Sequence, residues 1–142
     1  MKKMIILMFV LTAVIYAAEC VIYPPITQEQ VPFTFDATKA PAKIIDWAEI
    51  PYGVPTVWEF TACDAEDDPY TIVPLVMPAT ATFDGKTFRW TPTKEEKGVH
   101  YITFMATDNP PEGLLPLSDT SSYVVNVKRM VNTKPNLHKI KK

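Results

Sequence analysis

From residue 43 onward, apolar and polar positions alternate with a period of two, in short runs separated by turn-forming residues; this is the pattern of half-buried strands. The first run, Lys43 to Ile50, is stopped by Pro51 and Gly53. Thr56 to Cys63 alternates most cleanly, with Trp58, Phe60 and Ala62 on one face and Glu59, Thr61 and Cys63 on the other. An acidic turn, Asp64-Ala65-Glu66-Asp67-Asp68-Pro69, separates it from a third run, Tyr70 to Leu75, which Pro74 directs to a sheet edge. Ala79 to Phe83 and Lys86 to Thr91 flank Asp84–Gly85, a strong hairpin signal. Thr93 and Glu96 have capping-box spacing and predict one helical turn before Gly98. Val99 to Thr107 follows, with His100, Ile102, Phe104 and Ala106 on one face, and Ser121 to Lys128 closes the series with Tyr123, Val125 and Val127 inward. Seven short strands in about 90 residues predict an all-β, seven-stranded Greek-key β-sandwich.

The pattern before residue 43 is different. Met1-Lys2-Lys3 and the apolar run Met4 to Tyr16, ending at Ala17–Ala18, read as a secretory signal peptide over 1–18. An uncleaved anchor is the alternative, although the run is short for a span of about 20 residues. Residues 19–42 hold Pro24, Pro25, Pro32 and Pro41 and predict an extended lead-in, with one possible strand at Val31 to Phe35. The sandwich then takes 43–130 and a basic tail 131–142.

Composition supports this division. Fourteen prolines against four glycines favour short strands and stiff turns over long helices, and two cysteines with two histidines are too few for a zinc framework. All sixteen acids lie between Glu19 and Asp119, where only six bases stand, while six bases and no acid fill Lys128 to Lys142. In an exported chain the basic end reads as a solvated terminus; it lacks the interleaved aromatics of a single-strand platform, so no nucleic acid is expected.

Several segments carry a resemblance. Trp58-Glu-Phe-Thr-Ala-Cys-Asp64-Ala-Glu66-Asp-Asp68-Pro, the hairpin from Pro78 through Phe83-Asp-Gly85 to Trp90-Thr-Pro92-Thr, and Gly98 to Asp108 with Leu117-Ser-Asp119 are similar to immunoglobulin-like domains of bacterial surface proteins. The same pattern resembles dystroglycan-type cadherin-like domains. It covers about Lys43 to Met130 and implies an extracellular sandwich module of arrays, adhesins or secreted enzymes. The cadherin-like pattern also implies calcium: Asp64, Glu66 and Asp108 occupy the matching positions, with Glu66 for the second aspartate. The family's acidic linker is replaced by Arg129-Met-Val-Asn132-Thr.

The residues themselves suggest the same site by a separate route. Asp64, Glu66 and Asp68 recur at every second position, and Asp108 ends a strand directed to the same pole. Four carboxylates held close repel one another, and Ca2+, which takes six to eight oxygen ligands, relieves that repulsion. A plain solvated turn accounts for the same residues. Cys20 carries two readings. The residues before it approach a lipoprotein signal, but Glu19 breaks the pattern and favours a soluble product; unlipidated, Cys20 can pair with Cys63. No Gly-x-Ser-x-Gly or His-Glu-x-x-His motif occurs, and inward-facing His100 reads as a packed ring. The function expected is therefore an exported, non-catalytic binding, adhesion or envelope-structural module, stiffened by calcium, with a protein or glycan partner at the cell surface. Membrane attachment would come only through an N-terminal lipid or uncleaved signal. A carbohydrate-binding module is the alternative and needs Trp47 or Trp58 exposed. A small hydrolase would need His100 exposed beside a nucleophile or an acid.

Overall fold

The computed structural model describes residues 24–130; the signal segment, Cys20 and the tail 131–142 lie outside them. Seven strands form: β1 (Ile44–Pro51), β2 (Thr56–Glu59), β3 (Tyr70–Val76), β4 (Thr82–Phe83), β5 (Thr87–Trp90), β6 (Gly98–Asp108) and β7 (Ser118–Lys128). They make two sheets, one ordered β1-β7-β6-β3 and one ordered β2-β5-β4. The fold is all-β, with no α-helix among the described residues. β1 runs parallel to β7, and the other pairs are antiparallel.

The facing surfaces of the sheets form the main core. Phe88, Trp90, Ile102, Phe104, Val125 and Val127 are buried there, and Trp58, Phe60 and Tyr123 pack against them. Each fully buried large apolar side chain contributes about 1.5–3 kcal/mol, so these rings and branched chains dominate the fold's stability. Trp90, 2% exposed, satisfies its one polar atom by donating from Nε1 to Thr80 Oγ1 at 2.9 Å. The β4–β5 hairpin turns at Asp84–Gly85, where Gly85 takes φ +97° and Asp84 Oδ1 accepts from the amides of Lys86 (3.1 Å) and Thr87 (2.7 Å).

Three strands are shorter than the alternation predicts, β5 by one residue at each end. β2 ends at Glu59, although the Phe60 amide still donates to the Lys86 carbonyl at 2.8 Å. β4 begins only at Thr82 because the chain turns from Pro78 to Ala81, whose amide bonds the Pro78 carbonyl at 3.0 Å. The turn expected after Thr93 forms, with Glu96 Oε2 accepting from the Thr93 amide at 2.8 Å and the Glu96 amide donating to the Thr93 carbonyl at 3.2 Å.

A second core lies on the opposite face of the four-stranded sheet. Phe35, Ile44 and Val124 are buried there, with Ile26, Val31, Phe33, Trp47 and Tyr101 packed around them. The lead-in supplies this cover. The strand considered at Val31 to Phe35 does not form; the segment instead carries 3-10 turns at Gln28–Gln30 and Ala37–Lys39. Prolines remove amide donors and hold the backbone away from ladder pairing, so the segment contributes side chains and not a strand. It is tied down by the Ile26 amide on the Ile44 carbonyl at 2.6 Å and by the Tyr101 hydroxyl on the Asp36 carbonyl. Beside this cover, Thr103 and Ser122 are both 0% exposed, and their hydroxyls bond each other at 2.8 Å.

Candidate functional site

The acidic turn is built around Asp64. Its Oδ1 accepts from the amides of Glu66 (2.9 Å) and Asp68 (3.2 Å), which closes the loop on the side chain's own carboxylate. Asp67 takes φ +60°, a left-handed conformation that Asp tolerates better than most residues. The loop and the end of β6 do come side by side: Tyr70 pairs with Asp108, and the Asn109 amide donates to the Pro69 carbonyl at 2.7 Å. Asp108, however, accepts from the Leu117 amide through Oδ1 and so shapes the exit toward β7. Glu66 and Asp67 are exposed. Among the described residues, no group of three or more Asp, Glu, His or Cys side chains is arranged to hold a metal ion. The structure thus places Asp64, Glu66, Asp68 and Asp108 at one end of the sandwich without gathering their carboxylates into a cage. Asp64 and Asp108 each accept backbone hydrogen bonds through Oδ1.

The aromatic and histidine candidates are also engaged. Trp58 stacks on Phe88 with ring centroids 5.5 Å apart, and Trp47 meets Phe33 edge-on at 6.1 Å. Both are half-buried, so neither presents the flat exposed ring that a sugar platform needs. His100 lies edge-on to Trp90 at 5.1 Å, and its Nε2 bonds the Glu96 carbonyl, which fixes the proton on that nitrogen because a carbonyl only accepts. Glu96 is held below the usual carboxylate range, chiefly by the Thr80 hydroxyl and then by the Thr93 amide. This polar chain braces Trp90 and positions no reacting atom.

A groove of about 1000 Å³, which the alternation did not announce, lies between β1 and β2, with Trp58, Phe60, Phe104, Tyr123 and Val125 among its lining residues. Lys43 and Asp119, paired at 2.9 Å, also border it. Burial, reinforced by the charge of Asp46, raises the Tyr123 phenol above its ordinary value. Cys63 lines the same groove and is disulfide-bonded.

The fold and this geometry define an all-β, two-sheet sandwich with a groove between β1 and β2. No family model matches the chain, and no curated protein matches it. Among solved structures, it is similar to the endo-fucoidan hydrolase MfFcnA4 of glycoside hydrolase family 107 and to a point variant of that enzyme. Each matches at a TM-score of 0.50 and 20% identity, over 62% of this chain. The match spans only 13% of the hydrolase chain. At that identity the likeness concerns the fold alone.

Proposed function

We propose that the chain is an exported, non-catalytic binding module of the immunoglobulin-like or cadherin-like Greek-key class, serving adhesion or envelope structure. The strand order supports the class: β2-β5-β4 and β3-β6-β7 correspond to the two layers of such sandwiches, with β1 added in parallel on β7. The observation that carries the binding role is the outer edge of β3, which has no ladder partner among the described residues. Tyr70, Val73, Leu75 and Val76 are exposed along it, Leu75 at 50%, and Met77 continues the row. An edge strand offers unpaired backbone groups, and exposed apolar side chains beside them favour a protein partner that lays an extended segment alongside.

The alternative, a carbohydrate-binding module of a secreted system, draws on the likeness to a fucoidan hydrolase, but the packing of Trp47 and Trp58 counts against it. The two readings separate in one assay. Purified labelled chain is added to the cells that produce it, after protease or periodate treatment of their surface. Binding lost after protease and in Leu75→Lys supports the edge-strand reading. Binding lost only after periodate, and unchanged in Leu75→Lys, overturns it in favour of the glycan.

A further inference from the structure

We propose that the chain assembles head to tail with copies of itself, the leucine-tipped loop between β6 and β7 of one copy seating in an apolar recess at the opposite end of the next. The loop is built to project. Leu114, Leu115 and Leu117 are 65%, 86% and 73% exposed, three large apolar side chains within four residues. Exposed apolar residues scattered singly are ordinary, whereas a cluster of them marks a contact surface. The backbone beneath the cluster is held stiffly. The Leu114 amide bonds the Pro111 carbonyl at 3.2 Å around Gly113 at φ +95°, and the Asp108 amide bonds the Leu117 carbonyl at 3.1 Å. Pro110, Pro111 and Pro116 fix further backbone angles, so little freedom is lost when the tip is covered.

The recess lies at the Gly98 end of β6. It is shallow, holds about 390 Å³, and has Val76, Met77, Val99 and Tyr101 in its wall, with Lys39 and no acid. β6 runs 11 residues from this end to the loop, about 35 Å. The Asp108–Leu117 bonds close the loop at its root, so a chain cannot fill its own recess and the contact joins two copies. Charge selects the partner. At the loop end, Asp64, Glu66, Asp67, Asp68 and Glu112 form no ion pair among the described residues, and they repel an anionic lipid surface. At the recess end the balance reverses: Lys94, Lys97 and Arg129 are exposed against Glu95, Glu96 is turned onto Thr80 and Thr93, and Lys39 is 3.5 Å from Asp36. Ends of opposite charge steer copies into register. A contact between two different patches is heterologous, and repeating it gives a row or a ring of copies. One tip in one shallow recess is a small contact, so it belongs to the weak class and forms where copies are crowded or tethered. The recess borders the exposed row of β3, but Leu75 does not line it, and the self-contact stands apart from the edge-strand reading.

The test is sedimentation velocity on the full chain, as purified from the cells that make it, over a concentration series reaching about 1 mM. Wild type is expected to grow past the dimer as concentration rises. Leu115→Asp in the loop and Met77→Asp in the recess should each stay monomeric, their dissociation constants raised at least about tenfold. Both positions are exposed, so the melting midpoints should stay at the wild-type value; if either falls, Leu114→Ser and Lys39→Glu supply the same pair. Mixed in equal amounts, the loop variant and the recess variant should form dimers and nothing larger, because together they keep one intact loop and one intact recess. Leu75→Lys should associate like wild type. A wild type monomeric across the series, a recess variant that associates on its own, a mixture that stays monomeric, or association lost in Leu75→Lys would overturn the proposal. Flotation of a monomeric wild type with phosphatidylglycerol vesicles, lost in Leu115→Asp, would overturn it in favour of a lipid surface.

Discussion

Replacing Phe35 by alanine asks whether the proline-rich lead-in belongs to the folded domain. Phe35 is 5% exposed and sits in the second core with Ile44 and Val124, its ring 6.3 Å from that of Phe33, which in turn meets Trp47. Truncating a buried phenylalanine removes its transfer free energy and leaves a cavity, about 3–5 kcal/mol together. Whole domains are stable by only about 5–15 kcal/mol, so the loss is a large share of the total. A domain of about 100 residues shifts its melting midpoint by about 4–8 °C per kcal/mol, which sets a drop of at least about 12 °C. Thermal unfolding followed by circular dichroism, paired with a urea titration, gives both quantities. The slope of the urea curve should stay constant if only stability has changed. Were the domain to begin at residue 43 with the lead-in merely resting on it, Phe35→Ala would behave as a surface change, within about 0.5 kcal/mol. That result would refute the second core.

Three further expectations concern polar groups. At Thr103 and Ser122, Thr103→Val or Ser122→Ala alone should cost about 1–3 kcal/mol by orphaning a buried hydroxyl, whereas the double variant should be close to neutral; additive losses in urea unfolding would contradict the pairing. The Asp84 carboxyl is held down to about 2 by the Arg89 guanidinium and then by the amides of Thr87 and Lys86. Because the folded value lies below the ordinary 3.8, its contribution is complete above that pH and is lost as pH falls through about 2. The stability difference between wild type and Asp84→Asn should therefore close over that interval, and a difference unchanged across it would contradict the hairpin geometry. Midpoints in millimolar calcium and in chelator should coincide, since no three carboxylates are gathered to hold a cation among the described residues; a rise of several degrees in calcium would restore the carboxylate cage.

The inward faces of β2, β6 and β7 were readable because one physical rule, alternation against a buried face, applies to them. Trp58, Phe60, Ile102, Phe104 and Val125 all face the core as their parity requires. The rule failed where the chain buries side chains without pairing its backbone. Phe33 and Phe35 alternate like a strand, yet their segment packs as an irregular cover. Sequence also placed the acidic turn and the end of β6 at one pole, which the Pro69–Asn109 bond realises. It did not show where each carboxylate would point: Asp64 satisfies its own loop, a local competition between side chain and solvent that residue spacing does not encode. The groove was not announced by the pattern, because its lining residues Trp58, Phe60, Phe104, Tyr123 and Val125 alternate as ordinary core positions do.

The parallel pairing of β1 with β7 governs the order in which the molecule can be assembled. Ile44 lies opposite Ser122 and Ile50 opposite Val127, so the first strand finds its only described ladder partner in the last. While the chain emerges from a ribosome, this ladder cannot form until the C-terminal strand arrives. Contacts so distant in sequence carry the largest loop-closure cost and slow folding. For any chain that must thread a narrow channel such a delay is useful, because the channel passes an unfolded polypeptide and rejects a finished sandwich. The ladder that closes the domain is thus the one that synthesis permits last.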